Sequence, residues 1–72
     1  MEQIEIKTAS IGLDQFLKWA NIAESGGDAK HLIQEGWVRV NGKIETRRSK
    51  KLYPGDVIDV DERGSWQIKG ND

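Results

Sequence analysis

The sequence predicts an α+β domain in the order β-α-α-β-β-β, with two helices packed on a small, curved, mostly antiparallel sheet. Three observations predict it. Apolar residues alternate near both ends of the chain, at Ile4 and Ile6 and again at Trp66 and Ile68, the two-residue period of a half-buried strand. Two stretches between them carry apolar residues at helical spacing. The segment after those stretches holds Asn41-Gly42 and Pro54-Gly55, a strong hairpin signal and a strong turn signal.

Each element follows in order. In "EQIEIK" Ile4 and Ile6 face one way and Glu5 and Lys7 the other, which reads as a strand. "LDQFLKWA" places Leu13, Phe16, Leu17 and Ala20 on one helical face, with Ser10 or Gly12 available as its cap. A second helix is expected near Asp28, where Ser25 and Asp28 resemble a capping box with Asp in place of Glu. Ala29, Leu32 and Ile33 form its apolar stripe, Lys30, His31 and Gln34 fall off it, and Gly36 suits the left-handed residue that ends it. "WVRVNGKIE" reads as a hairpin. A plain two-residue turn would pair Val40 with Lys43 and place Ile44 beside Arg39, on the polar face, so a longer loop or a bulge is expected. "YPGD" reads as a type II turn, and "VIDVD" and "WQIK" as the last strands.

Bulk properties exclude several functions. A chain of 72 residues is one small domain, here taken as residues 1–72. With no cysteine there is no disulfide and no zinc–thiolate site, which fits a reducing, cytoplasmic setting. No apolar run approaches the roughly 18 residues of a membrane span, and "MEQIEIKTAS" lacks the features of a signal peptide. His31 is the single histidine and has no carboxylate at a recognisable triad spacing. No catalytic residue, metal site or cofactor is expected, and the chain is not read as an enzyme.

Charge is the informative property. The formal net charge is −1, yet Lys30 to Lys51 holds seven basic and two acidic residues, a net of +5. The remainder holds four basic and ten acidic residues, a net of −6. A local positive field attracts polyanions whatever the global sum. In "KIETRRSKK" only Glu45 offers a nearby counter-charge. Solubility alone would be served by mixed signs, whereas a single-sign arm suits phosphates. Gly26 and Gly27 would let a phosphate approach the amides of the second helix, but Asp28 repels an anion there, so they read as a helix-to-helix turn. No Lys-Ser/Thr follows them, which excludes a Walker loop. Trp19, Trp37, Trp66 and Tyr53 offer stacking faces for bases, yet in so small a domain the tryptophans are expected in or at the edge of the core. Trp37 is the exception, since it alternates onto the face of Arg39.

The order and spacing of these residues resemble the S4-type RNA-binding domain. Leu13-Asp14, Ser25, Ala29, Leu32-Ile33, Gly36, "VRVNG" from Val38 and "GDVIDV" from Gly55 carry the resemblance, which spans Leu13 to Val60. It implies the alpha-L motif and RNA lying across the second helix and the following hairpin. The residues offered there are Lys30, His31, Arg39, Lys43, Arg47, Arg48, Lys50 and Lys51, the same segment that the charge count marks. Ser25-Gly26-Gly27 stands where most of the family has Ser-Arg, so one expected arginine contact is absent, as in the small stand-alone bacterial members that this chain resembles. The partner implied is rRNA or tRNA, with ribosomal association, and the chain is expected to be a monomer without membrane attachment. Two rivals share features with it. A protein-interaction module would present the same ledge to an acidic partner. A β-grasp sulfur carrier would need a C-terminal Gly-Gly, where this sequence reads Lys69-Gly70-Asn71-Asp72.

Overall fold

Local turn chemistry fixes how the strands meet. In the computed structural model, which describes residues 1–70, Asn41 and Gly42 both take positive φ, 52° and 86°. Those are the angles of a type I′ turn, whose twist matches that of the flanking strands. The hairpin is therefore the plain two-residue one, β3 (Val38–Val40) against β4 (Lys43–Ile44), with Arg39 opposite Ile44 and Val40 opposite Lys43. The longer loop or bulge expected from the sequence is absent. The turn decides the register, and Ile44 is left 58 % exposed on the far face of the sheet.

Among the described residues, seven strands and two helices follow one another. They are β1 (Glu2–Glu5), β2 (Ile11–Gly12), α1 (Leu13–Trp19), α2 (Gly26–Gln34), β3, β4, β5 (Lys51–Leu52), β6 (Val57–Val60) and β7 (Gly64–Lys69). The main sheet has the order β1-β7-β6-β3-β4, and only the β1–β7 pair is parallel. Sequence periodicity missed β2 and β5, which form a separate ladder of two residue pairs, Ile11 with Leu52 and Gly12 with Lys51. Segments that short carry no readable period.

One face of the sheet and one stripe of each helix make the core. Leu13, Phe16 and Leu17 of α1 and Ala29, Leu32 and Ile33 of α2 meet Val38, Val40, Ile58, Val60 and Ile68 of the sheet. Ile6, Ile22, Ala23 and Leu52 close its margins. No polar or charged residue is buried among the described residues. Trp66 packs half-buried against this core, as expected, but Trp19 and Tyr53 do not join it, being 60 % and 52 % exposed. The Trp19 indole N–H donates to the Glu5 carbonyl at 3.1 Å, so the ring is held against β1 at its polar edge.

The helices start by different devices. Ser25 caps α2, its hydroxyl accepting from the Asp28 N–H at 3.1 Å, and α2 begins at Gly26, two residues before the predicted start. Asp28 completes no capping box with Ser25. Its carboxylate instead accepts from the Glu24 N–H at 3.0 Å and from Arg63 Nη1 at 3.2 Å. The Glu24 N–H, with a lesser contribution from Arg63, holds the Asp28 carboxyl below its usual range against the opposing effect of desolvation. Arg63 also donates to the Ile22 carbonyl at 2.6 Å, which ties the β6–β7 turn to the turn between the helices. α1 has Gly12 at its N-cap position and no side-chain cap. Gly36 follows the C-cap of α2 with φ of 80°, as predicted. The "YPGD" turn closes as predicted, the Asp56 N–H donating to the Tyr53 carbonyl at 3.0 Å. The C-terminal residues weighed above against a sulfur carrier include Asn71 and Asp72, which lie outside the described residues.

The two kinds of glycine respond differently to alanine. A Cβ on Gly26, at the helix start, meets nothing within 4 Å. Gly26→Ala is expected to be neutral or stabilising, by up to about 1 kcal/mol. Gly42→Ala is expected to destabilise by about 1–2 kcal/mol, the cost of a left-handed residue that carries a Cβ. Urea unfolding of both variants checks this, and equal midpoints would refute the turn assignment.

Candidate nucleic-acid interface

The hairpin register sorts the predicted cations by face. Val40 points into the core beside the helices, so its partner Lys43 stands on the helix side of the sheet. Arg39 and Ile44 stand on the opposite side, in a row that continues through Asp59 to Ser65. There Arg39 Nη1 donates to Asp61 Oδ1 at 2.6 Å. Lys43 and Arg39, four residues apart in sequence, therefore serve different surfaces.

On the helix side, the segment after β4 is fastened across the start of α1. The first amides of a helix have no intrahelical partner, and here backbone carbonyls of the basic loop supply acceptors. The Leu13 N–H donates to the Lys50 carbonyl at 2.9 Å and the Asp14 N–H to the Arg48 carbonyl at 3.1 Å. The β2–β5 ladder continues this seam, and within it Leu52 is fully buried. Strand alternation then turns its neighbours Lys51 and Tyr53 outward.

A second set of bonds joins the hairpin tip to the same region. Asn41 Oδ1 accepts from the Val57 N–H at 2.9 Å, and its Nδ2 donates to Asp56 Oδ1 at 3.1 Å. The other Asp56 oxygen accepts from the Tyr53 N–H at 2.8 Å. Between the hairpin tip and β5 lies a groove of about 390 Å³, lined by Lys43, Lys50, Lys51, Glu45, Asn41 and Tyr53 among others. None of the three lysines makes an ion pair among the described residues.

The two loop arginines are held differently. Arg47 grips Glu45 at two points, Nε to Oε2 at 3.1 Å and Nη2 to Oε1 at 3.3 Å. Its backbone N–H also donates to Glu45 Oε2, at 3.1 Å. The side chain of Arg47 is 70 % exposed and that of Glu45 only 14 %. The Arg47 hydrogen bond holds the Glu45 carboxyl below its usual range, and Glu45 raises the Arg47 guanidinium in return. Arg48 Nη2 lies 3.5 Å from Asp14 Oδ2, a looser pair. Glu45 is thus one of three counter-charges, and fold proximity brings in the other two, Asp14 and Asp61.

The eight predicted residues fall into four places. Lys43, Lys50 and Lys51 share the groove, while Arg47 and Arg48 occupy the loop that leads to it. Arg39 stands on the opposite face. Lys30 and His31 are exposed on α2, as predicted, with no side-chain hydrogen bond or ion pair to the hairpin among the described residues. Sequence reasoning missed Tyr53 as a groove residue. Its position just before Pro54-Gly55 was the available signal, because the first residue of such a turn sits at a sheet rim. Asp14, in the first turn of a helix, gave no sign that Arg48 lies beside it. Among the described residues no group of three or more His, Cys, Asp or Glu side chains could hold a metal ion, and no helix is long and apolar enough to cross a membrane.

Comparison with known proteins agrees with this architecture. The sequence model of the S4 domain matches residues 4–69. A probable ribosome maturation protein, RlbA, of Bacillus subtilis is 46 % identical over 65 residues, which cover 90 % of this chain and 92 % of the relative. A putative RNA-binding protein, YbcJ, of Escherichia coli is 38 % identical over 52 residues, 72 % of this chain and 74 % of the relative. Among solved structures, the 30S ribosomal protein S4e of Thermoplasma acidophilum superposes with a TM-score of 0.63 at 22 % identity, over 85 % of this chain and 32 % of that protein, a likeness of fold. The chain belongs to the S4 domain family.

The Glu45–Arg47 grip is open to direct measurement. A carboxyl with a lowered pKa stays ionised to lower pH, so the pair persists as pH falls through the usual glutamate range and is lost only below it. In an NMR titration of its side-chain carboxyl Glu45 is expected to titrate below the usual glutamate range. In Arg47→Ala its titration is expected to move up towards that range, the backbone N–H bond remaining, and an unmoved Glu45 would show that the Arg47 side chain is not its partner.

Proposed function

We propose that this S4-domain chain is a binding module for structured RNA, ribosomal or transfer RNA, and that it docks through the groove between the hairpin tip and β5. One observation carries the reading: Lys43, Lys50 and Lys51 converge on a single groove with no ion-pair partner among the described residues, beside the exposed ring of Tyr53. Three ammonium groups around one concavity, partly offset by Glu45 and Asp56 in its lining, make a local positive potential that draws a polyanion. A phosphate backbone supplies evenly spaced negative charge to that groove. The tyrosine ring supplies a stacking face for a base that leaves its helix.

Rigid placement adds selectivity for shape. The carbonyls of Arg48 and Lys50 are bonded to α1, and Asn41 and Asp56 brace the tip, so the backbones that carry the lysines are held at fixed separations. Charge density alone would attract any polyanion, whereas lysines rooted on a fixed backbone favour RNA whose phosphates lie within their reach. The names of the relatives, a probable ribosome maturation protein and a putative RNA-binding protein, favour ribosomal RNA as the first RNA to test. Lys30, His31 and Arg48 extend the contact on either side of the groove in this reading. The module binds and does not catalyse, acts as a monomer, and works in the cytoplasm where ribosomal subunits are assembled.

Salt dependence tests the proposal. With four to six of the predicted cations on phosphates, the log–log plot of affinity for bacterial rRNA fragments against salt is expected to have a slope of about −3 to −5. A slope near zero, or displacement by poly-glutamate as effective as displacement by RNA, would replace this reading with a protein-interaction module. The double reversal Lys50→Glu/Lys51→Glu is expected to weaken rRNA binding at least about tenfold, since each phosphate contact is lost and replaced by repulsion. Its circular dichroism spectrum should match that of the unaltered chain, because both side chains leave the core untouched.

A further inference from the structure

Arg47 differs from every other cation near the groove. The lysines carry mobile point charges, Arg48 meets Asp14 at a single 3.5 Å approach, and Arg39 sits on the opposite face. Arg47 alone is held at two points, through Nε and Nη2, by a carboxylate that is itself fixed by the Arg47 backbone N–H. A guanidinium has five N–H donors in a planar fork. With Nε–H and one Nη2–H committed to Glu45, both Nη1 hydrogens and the second Nη2 hydrogen remain. They form a second edge with two parallel donors, on a side chain that is 70 % exposed.

The carboxylate also changes what that edge selects. Arg47 and Glu45 together are neutral, so the pair has little long-range pull on a phosphate, and Glu45 repels one that comes close. What survives is direction: two donors side by side in a fixed plane. A neutral group with two adjacent acceptors fits them, and among the bases guanine presents that pattern, O6 beside N7. Resting on the RNA-binding reading above, we propose that Arg47, buttressed by Glu45, is the base-reading residue of the interface. It donates two hydrogen bonds to the O6/N7 edge of a guanine in a loop, bulge or other unpaired stretch, where that edge is accessible. Lys43, Lys50 and Lys51 hold the backbone, and Glu45 is a positioning residue that acts through Arg47.

The test uses the full chain and a pool of RNA hairpins with randomised loops, selected for binding and sequenced. The unaltered chain is expected to enrich guanine at one loop position, and replacing that base by 7-deazaguanine, which lacks N7, is expected to weaken binding roughly tenfold, the size of one bidentate base contact. The double variant Glu45→Gln/Arg47→Met keeps the net charge of the pair and removes the donors, so it should abolish the guanine preference while the salt slope stays within about 0.5 of its original value. Glu45→Gln keeps an oxygen to accept the Arg47 backbone N–H. It should also erode the preference, and by releasing a net positive charge it should steepen the slope by roughly 0.7. Glu24→Gln, an exposed residue with no ion pair among the described residues, makes the same charge change as a control and should alter neither. No enrichment of guanine by the unaltered chain, or a preference that survives the double variant Glu45→Gln/Arg47→Met, would overturn the inference while leaving RNA binding in place. An unaltered chain without salt-dependent binding to any hairpin would remove the reading on which the inference rests.

Discussion

The interface depends on a backbone exchange at the start of α1. A helix of seven residues is too short to hold itself together, and its first amides need acceptors from outside. The loop between β4 and β5 has the opposite need, since it carries three cations, Arg47, Arg48 and Lys50, and no helix or strand of its own. The carbonyls of Arg48 and Lys50 meet the amides of Asp14 and Leu13, and each side completes the other. The bonds use the loop's main chain, which leaves its side chains free to point outward. Leu52, driven into the core two residues later, sets the phase of alternation, so that Lys51 and Tyr53 emerge on either side of a buried leucine. Burial of one apolar side chain and two backbone hydrogen bonds thus position most of the groove.

The turn at Asn41 and Gly42 makes the second division. Its angles fix a two-residue loop, and that register sends Lys43 to the helix side and Arg39 to the other. The price is an exposed isoleucine. Ile44 would be buried by a one-residue slip, but the slip would turn Lys43 away from Lys50 and Lys51 and lose the bonds that Asn41 makes to Val57 and Asp56. Two left-handed residues and three hydrogen bonds from one asparagine outweigh the burial of one side chain on a two-residue edge strand. Short edge strands also resist pairing with other chains, so an exposed Ile44 carries little hazard there.

Much of this was legible in the sequence, and the exceptions have physical reasons. The helical stripes, the Gly36 terminus, the "YPGD" turn and the last two strands follow from periodicity and turn chemistry, which act over a few residues. The hairpin departs from the expected longer loop because the turn at Asn41 and Gly42 is a stronger constraint than the burial of Ile44. β2 and β5 were invisible because a two-residue ladder has no period, and its existence is decided by chain segments forty residues apart. The same distance hid the counter-charges. Glu45 could be seen beside Arg47, but Asp14 reaches Arg48 and Asp61 reaches Arg39 only once the fold is made. Tyr53 reads from sequence only as an aromatic that could stack, and its place at the head of a turn is what sends it to the rim.

The distribution of partners refines what the +5 segment can do. An arginine held by a carboxylate contributes little to the field felt beyond a Debye length, about 8 Å at physiological salt. Arg39, Arg47 and Arg48 are so held, each by a different acid. Lys30, Lys43, Lys50 and Lys51 are not, among the described residues, so the long-range attraction comes from lysine. That assignment suits the chemistry of the two side chains. An ammonium on a flexible stem tracks phosphates at many angles, while a braced guanidinium tolerates few. On the proposed reading, a chain of net charge −1 approaches RNA with its lysine groove leading, because its acidic remainder is repelled, and the Arg47 fork then favours sites with a matching acceptor pair. In that reading orientation comes from the uneven charge, and selection from the pairs that neutralise part of it.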